Sequence, residues 1–187
     1  MDPSSPSRRA WLAAGIGTVM GAAARPALAT PAPPEVAAEL PAARLQGSAR
    51  FRFFGLSVYD ARLWVGERMV DADWNVPLAL EIEYLRPFEG SRIAERSLEE
   101  MRRQGEIAPA TAERWRREMA QIFPDVRERD RITGVKRPED GARFFVNGRL
   151  RGEVRDGEFA RRFFGIWLAP QTSEPALRRA LLDGGRS

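Results

Sequence analysis

The sequence contains no cysteine and no histidine. Without them there are no thiol nucleophiles, Ser-His-Asp triads, imidazole proton shuttles or haem ligands, and nearly all zinc and copper sites are excluded. A metal would have to be held by carboxylates alone, and no Asp/Glu cluster has calcium-loop spacing, so no cofactor is expected. The lack of cysteine also suits an oxidising compartment. Lysine is nearly absent: Lys136 stands alone among many arginines, and only two tyrosines occur, Tyr59 and Tyr84. Charge of one sign is lacking too. The net charge is +4 over 187 residues, with Arg and Glu or Asp interspersed along the chain. That pattern describes a solvated surface and predicts no nucleic-acid partner.

The first residues read as an address. Ser7-Arg8-Arg9-Ala10-Trp11-Leu12 is a twin-arginine pattern, followed by an uncharged Ala- and Gly-rich stretch over 11–24. That stretch is shorter than the roughly 20 residues a membrane-spanning helix needs. Pro26-Ala27-Leu28-Ala29 then supplies a small-x-small cleavage signal. The expectation is a cleaved signal peptide over 1–29 and a periplasmic protein with no stable membrane span after cleavage, exported by the twin-arginine or the general secretory route. Residues 30–41, rich in Pro and Ala, read as a linker. Residues 42–184 make one domain, long enough to fold without disulfides or metals.

Within that domain the periodicities alternate. Residues 45–56 and 58–66 read as strands, with Arg50 and Arg52 alternating against Phe51 and Phe53, and a bend or bulge near Gly55. Residues 78–85 alternate cleanly, placing Leu78, Leu80, Ile82 and Tyr84 on one face. Helical spacing follows over 90–104, ended by Gly105, and again from Pro109 to Pro124. Strands return at 131–136, 142–146 and 149–154, the last two joined by Asn147-Gly148, whose residues suit the positive φ angles of a type I′ turn. Asp156 is the natural N-cap of a helix over 157–168, and Ser173 that of a last helix ended by Gly184-Gly185. Strands, helices, strands and helices in that order predict an α+β fold.

Three segments carry a resemblance: Gly47-Ser48-Ala49-Arg50-Phe51-Arg52-Phe53-Phe54-Gly55-Leu56-Ser57-Val58-Tyr59-Asp60, the helix with Gly90, Ile93, Ala94, Ser97, Glu100 and Met101, and Asn147-Gly148 through Gly152, Asp156 and Phe159 to Phe163-Phe164-Gly165-Ile166-Trp167-Leu168. In this order they resemble the chalcone isomerase-like family, specifically its exported bacterial branch. The resemblance implies an antiparallel sheet with a helical layer packed on one face, an open-faced sandwich with a cleft between the layers. In the plant enzymes of that family an Arg, a Thr, a Tyr, an Asn and a Ser or Thr orient a phenolate and stabilise an enolate, without a cofactor. Carried over, the resemblance puts Phe54 at the Thr, Ile93 at the Tyr, Glu100 at the Asn and Ala160 at the late Ser or Thr. Arg44, Arg50 and Arg52 all remain candidates for the early Arg. Losing one such donor typically costs about 100–1000-fold in rate, so the resemblance implies a domain that has lost isomerase chemistry. Fatty-acid-binding relatives hold a carboxylate with an Arg and a Tyr, and that Tyr is missing as well.

The expected function is therefore a non-catalytic, exported domain that binds a small apolar or amphipathic ligand, acidic in one version, in the sheet–helix cleft. The candidate ligand-binding residues are Arg50, Arg52, Tyr59 and Tyr84. Arg50 and Arg52 alternatively pair with Glu81 or Glu83 on an exposed face, and the tyrosines alternatively serve as core aromatics. Arg86, at a strand exit, is a candidate guard of the pocket mouth or a plain surface residue; Ser97 and Glu100 form a polar site or a solvated helix face. Two other functions stay open: an intramolecular lyase acting on a chalcone-like substrate through other residues, and an envelope interaction module.

Overall fold

The computed structural model describes residues 30–67, 69, 74, 76–137 and 140–184. The signal peptide read at 1–29 lies outside them. Six strands, β1 (Arg44–Phe53), β2 (Leu56–Val65), β3 (Leu78–Tyr84), β4 (Arg131–Arg137), β5 (Gly141–Val146) and β6 (Arg149–Val154), form one antiparallel sheet in sequential order. This is the predicted architecture. The registers Leu63↔Leu80, Ile82↔Ile132 and Gly134↔Phe144 bring the inward positions of four strands into one row system. That face carries the main core and is covered by α2 (Gly90–Arg102), α3 (Pro109–Ile122), α4 (Gly157–Leu168) and α5 (Pro175–Asp183).

Each helix shows why it forms and what it buries. Helix α3 begins at Pro109 and buries Ala112, Trp115, Met119 and Ile122, one apolar stripe at helical spacing. Asp156 caps α4 by accepting from the Phe159 N–H at 3.0 Å, and its second oxygen accepts from Trp115 Nε1 at 3.0 Å and Arg114 at 2.7 Å. One carboxylate thus ties α4 to α3. Helix α5 lies so close to β1 that a Cβ on Gly47 would sit 2.3 Å from the Leu181 carbonyl oxygen.

Three expectations change. Ser173 does not cap the last helix: α5 starts at Pro175 with Glu174 at its N-cap, and no side chain caps that end. The segment read as a linker contains α1 (Pro34–Glu39), which docks on the sheet's other face rather than joining the helical layer. Val36 is fully buried there with Trp64, Ala79, Val135 and Phe145. Glu35 accepts from Arg131 at 2.8 Å and from the Thr133 hydroxyl at 3.1 Å. Tertiary contact holds a helix too short to persist alone. The bend expected near Gly55 is a full hairpin turn: Phe54 and Gly55 have φ of 46° and 78°, close to the 49° and 81° of Asn147 and Gly148.

Candidate functional site

Between the inward face of β1 to β5 and the helices α2 and α4 lies an open cleft of about 700 Å3. Its floor is Leu80, Gly134 and Phe144, mid-strand residues at the heart of the sheet. Phe163, Ile166 and Trp167 of α4 form one wall; Arg92, Ile93, Arg96, Ser97 and Glu100 of α2 form the other. The exposed side chains among its lining, Phe53, Leu56, Arg92 and Arg96, mark the mouth at the β1–β2 hairpin and the first turns of α2. A cleft of this size and mostly apolar lining fits a small-molecule site. A second hollow of about 430 Å3 is lined by Arg137, Arg143, Arg155, Asp140 and Glu153. Its arginines pair with Glu39 and Glu153.

The structure brings two of the four predicted ligand-binding residues to the cleft, Tyr59 and Tyr84. It corrects the placement of Arg50 and Arg52. Phe51 and Phe53 take the cleft face of β1, so strand alternation sends the arginines the other way. Arg50 clasps Asp60 across the sheet with two bonds of 2.7 Å, and Arg52 is exposed outside the cleft. The pair Arg50–Asp60 raises the guanidinium's pKa, chiefly through the side-chain hydrogen bond, and lowers that of the carboxylate for the same reason.

The positions carried over from the family divide in the same way. Ile93 and Glu100 line the cleft. Phe54 sits on the hairpin tip at 90% exposure, and Ala160 is fully buried in the core. Arg44 is exposed at the opposite end of β1, paired with Val65. Ser97 spends its hydroxyl on the Ile93 carbonyl at 2.7 Å. Glu100 accepts from Arg96 at 2.5 Å, while its other oxygen is buried without a hydrogen bond.

The two tyrosine hydroxyls differ. Tyr59 accepts from Trp167 Nε1 at 3.0 Å, and burial pushes its pKa well up. Tyr84 is buried, with its pKa raised by burial and then by Tyr59, and its hydroxyl bonds to no other described residue. Arg86 lies in the bend just past the end of β3, lines the same cleft and is half-buried. It has no ion pair or hydrogen bond among the described residues. Sequence reasoning had Arg86 only as a possible guard. It missed Arg92 and Arg96, although their spacing with Glu100 at i, i+4 and i+8 marks one helix face.

No helix among the described residues is long and apolar enough to cross a membrane, and no group of three or more carboxylates among them could hold a metal ion. The family model for chalcone isomerase-like proteins matches residues 33–183. An uncharacterized protein of Haemophilus influenzae is 30% identical over 141 residues, spanning 75% of this chain and 68% of that protein. Among solved structures, an Arabidopsis thaliana fatty-acid binding protein superposes with a TM-score of 0.60 at 13% identity, covering 76% of this chain and 88% of that one. This last likeness is one of fold.

Proposed function

The chain belongs to the chalcone isomerase-like family, and from that premise we propose that it is a non-catalytic carrier of an amphipathic carboxylic acid. One observation carries the proposal: in a mostly apolar cleft, a tyrosine hydroxyl and a guanidinium with no bond to another described residue line the same hollow, at Tyr84, the last residue of β3, and at Arg86 in the bend just beyond it. A carboxylate accepts from both kinds of donor, and a charge-assisted bond to Arg is among the stronger polar contacts. The ligand's chain then runs over Leu80, Ile82 and Phe144 toward the floor. A fatty-acid binding protein of the same fold supports this reading. The proposal includes delivery to the periplasm through the leader at 1–29.

The loss of isomerase chemistry follows from charge. The family's mechanism develops an oxyanion, and donors must face it. Ile93 offers no donor, and Glu100 brings a carboxylate into the same wall. A negative charge there opposes a second one.

Titration of delipidated protein with a long-chain fatty acid and with its methyl ester tests this. The acid should bind clearly tighter than the ester, and Arg86→Gln should weaken the acid about 10–100-fold while leaving the ester unchanged. Equal affinity for acid and ester, or turnover of a chalcone by the unaltered protein, would overturn it.

A further inference from the structure

We propose that the β1–β2 hairpin tip, Phe53-Phe54-Gly55-Leu56, is a docking wedge that seats the mouth of the cleft on an anionic lipid bilayer. The inference stands on the hairpin itself and does not depend on which ligand the cleft holds.

The tip is exposed where exposure is costly. Phe53, Phe54 and Leu56 are 58%, 90% and 54% exposed, three of the four large hydrophobic side chains so exposed among the described residues. Phe54 is also in the wrong conformation for its type. Its φ of 46° lies in the left-handed region, where Asn or Gly is at ease and a bulky residue is strained. The other hairpin shows the ordinary solution: Asn147 adopts φ 49° and spends its side chain on Asp130 and the Arg131 N–H. Among the described residues, the Phe54 ring meets only that of its neighbour Phe53, edge-on with centroids 4.5 Å apart. The fold therefore gains nothing from this phenylalanine, and both costs point to a use outside the fold.

Position and charge name the partner. Phe53 and Leu56 also line the cleft, so the tip and the mouth form one continuous surface. Arg52 on the hairpin and Arg86 at the rim have no ion-pair partner among the described residues. Arg92 and Arg96 stand on the same rim, engaged with Glu89, Glu99 and Glu100. Glu174 is a further carboxylate in the cleft lining, along with Glu100. Free guanidinium groups beside an apolar wedge suit anionic headgroups over acyl chains. A four-residue turn is far smaller than the roughly 800 Å2 each partner commits to a stable protein interface. Insertion needs only a protruding apolar point.

The test compares the full chain with three variants on vesicles of phosphatidylglycerol and phosphatidylethanolamine, and on phosphatidylcholine alone. Phe54→Asn removes the wedge with a residue that fits the turn. Relative to the unaltered chain it should lose about 10–100-fold in binding to the anionic vesicles without a fall in melting temperature. Arg52→Gln combined with Arg86→Gln should abolish the preference for anionic over phosphatidylcholine vesicles. Phe54→Trp should add emission that shifts to the blue on anionic vesicles and is quenched by brominated acyl chains. All chains share residues 1–29, so these differences report on the tip. The proposal is overturned if the Trp emission keeps its solvent-exposed colour, if Phe54→Asn binds as well as the unaltered chain, or if it loses an envelope protein and no lipid.

Discussion

Tyr59 and Tyr84 face each other across neighbouring strands, with rings 6.4 Å apart, yet their hydroxyls are in opposite states. Tyr59 accepts from Trp167 and so joins β2 to α4; Tyr84 holds a hydroxyl that no other described residue bonds. The same substitution should therefore have different consequences at the two sites. Tyr59→Phe leaves the Trp167 N–H without its acceptor and should cost about 1–2 kcal/mol of stability. Tyr84→Phe removes no bond among the described residues, should leave the urea midpoint within about 0.5 kcal/mol of the parent, and should weaken fatty-acid binding several-fold. Urea unfolding beside acid titration separates the two, and an equal loss of stability in both variants would remove Tyr84 from the ligand. The period of two alone puts Tyr84 on the apolar face of its strand, with Leu78, Leu80 and Ile82. For Arg50 and Arg52 the same period separated two faces of β1 but could not tell which one the helices cover. That depends on Phe51 and Phe53 packing inward, a tertiary fact.

At the scale of elements, the strands and helices of the domain lie close to where alternation and caps put them, because each carries its own signal: Pro109 opens α3, Asp156 caps α4, Asn147-Gly148 turns β5 into β6. Helix α1 also opens on a proline, Pro34, but it has no apolar stripe at helical spacing to go with it. Its composition is that of a linker, and it exists because Val36 and Glu35 find partners on the back of the sheet. The mouth was equally illegible, since it needs the hairpin tip, the end of β3 and the start of α2 together. Asp156 provides a test at this scale. Burial pushes its carboxyl up, but the hydrogen bonds from the Phe159 N–H, Arg114 and Trp115 outweigh that and hold its pKa below the ordinary value. A depressed folded pKa contributes stability that is present above the unfolded value, near about 3.9, and is lost as pH falls through the folded one. Asp156→Asn can still cap the helix. It should be less stable at neutral pH by roughly 1 kcal/mol or less, since its charged partner Arg114 is about half exposed to solvent. It should also show a shallower fall in urea midpoint on acidification below about pH 5. An unchanged acid slope would mean that the linkage from α3 to α4 carries no charge-dependent stability.

For the whole molecule, the cleft is a gap in the main core. Leu80 and Phe144 belong to the same packed core as the fully buried Trp115 and Phe159, yet with Gly134 they also line an open hollow. A ligand chain lying there would finish the contact between sheet and helices, so binding and folding should be coupled. A ligand that binds only the native state stabilises it in proportion to the logarithm of its excess; at a hundred times its Kd the gain is about 2.7 kcal/mol. For a domain of this length that is a rise of about 5–10 °C in melting temperature. Delipidated protein should therefore melt below protein saturated with a long-chain acid by about that margin, with no change in the urea m-value, because the fold is not altered. Arg86→Gln should start from the same delipidated melting temperature, since Arg86 bonds to nothing within the described chain, and should show a smaller rise at equal acid concentration. Differential scanning calorimetry of the two proteins with and without the acid decides it. A rise of the same size in both would make the stabilisation a matter of apolar filling alone and would leave the carboxylate without its anchor.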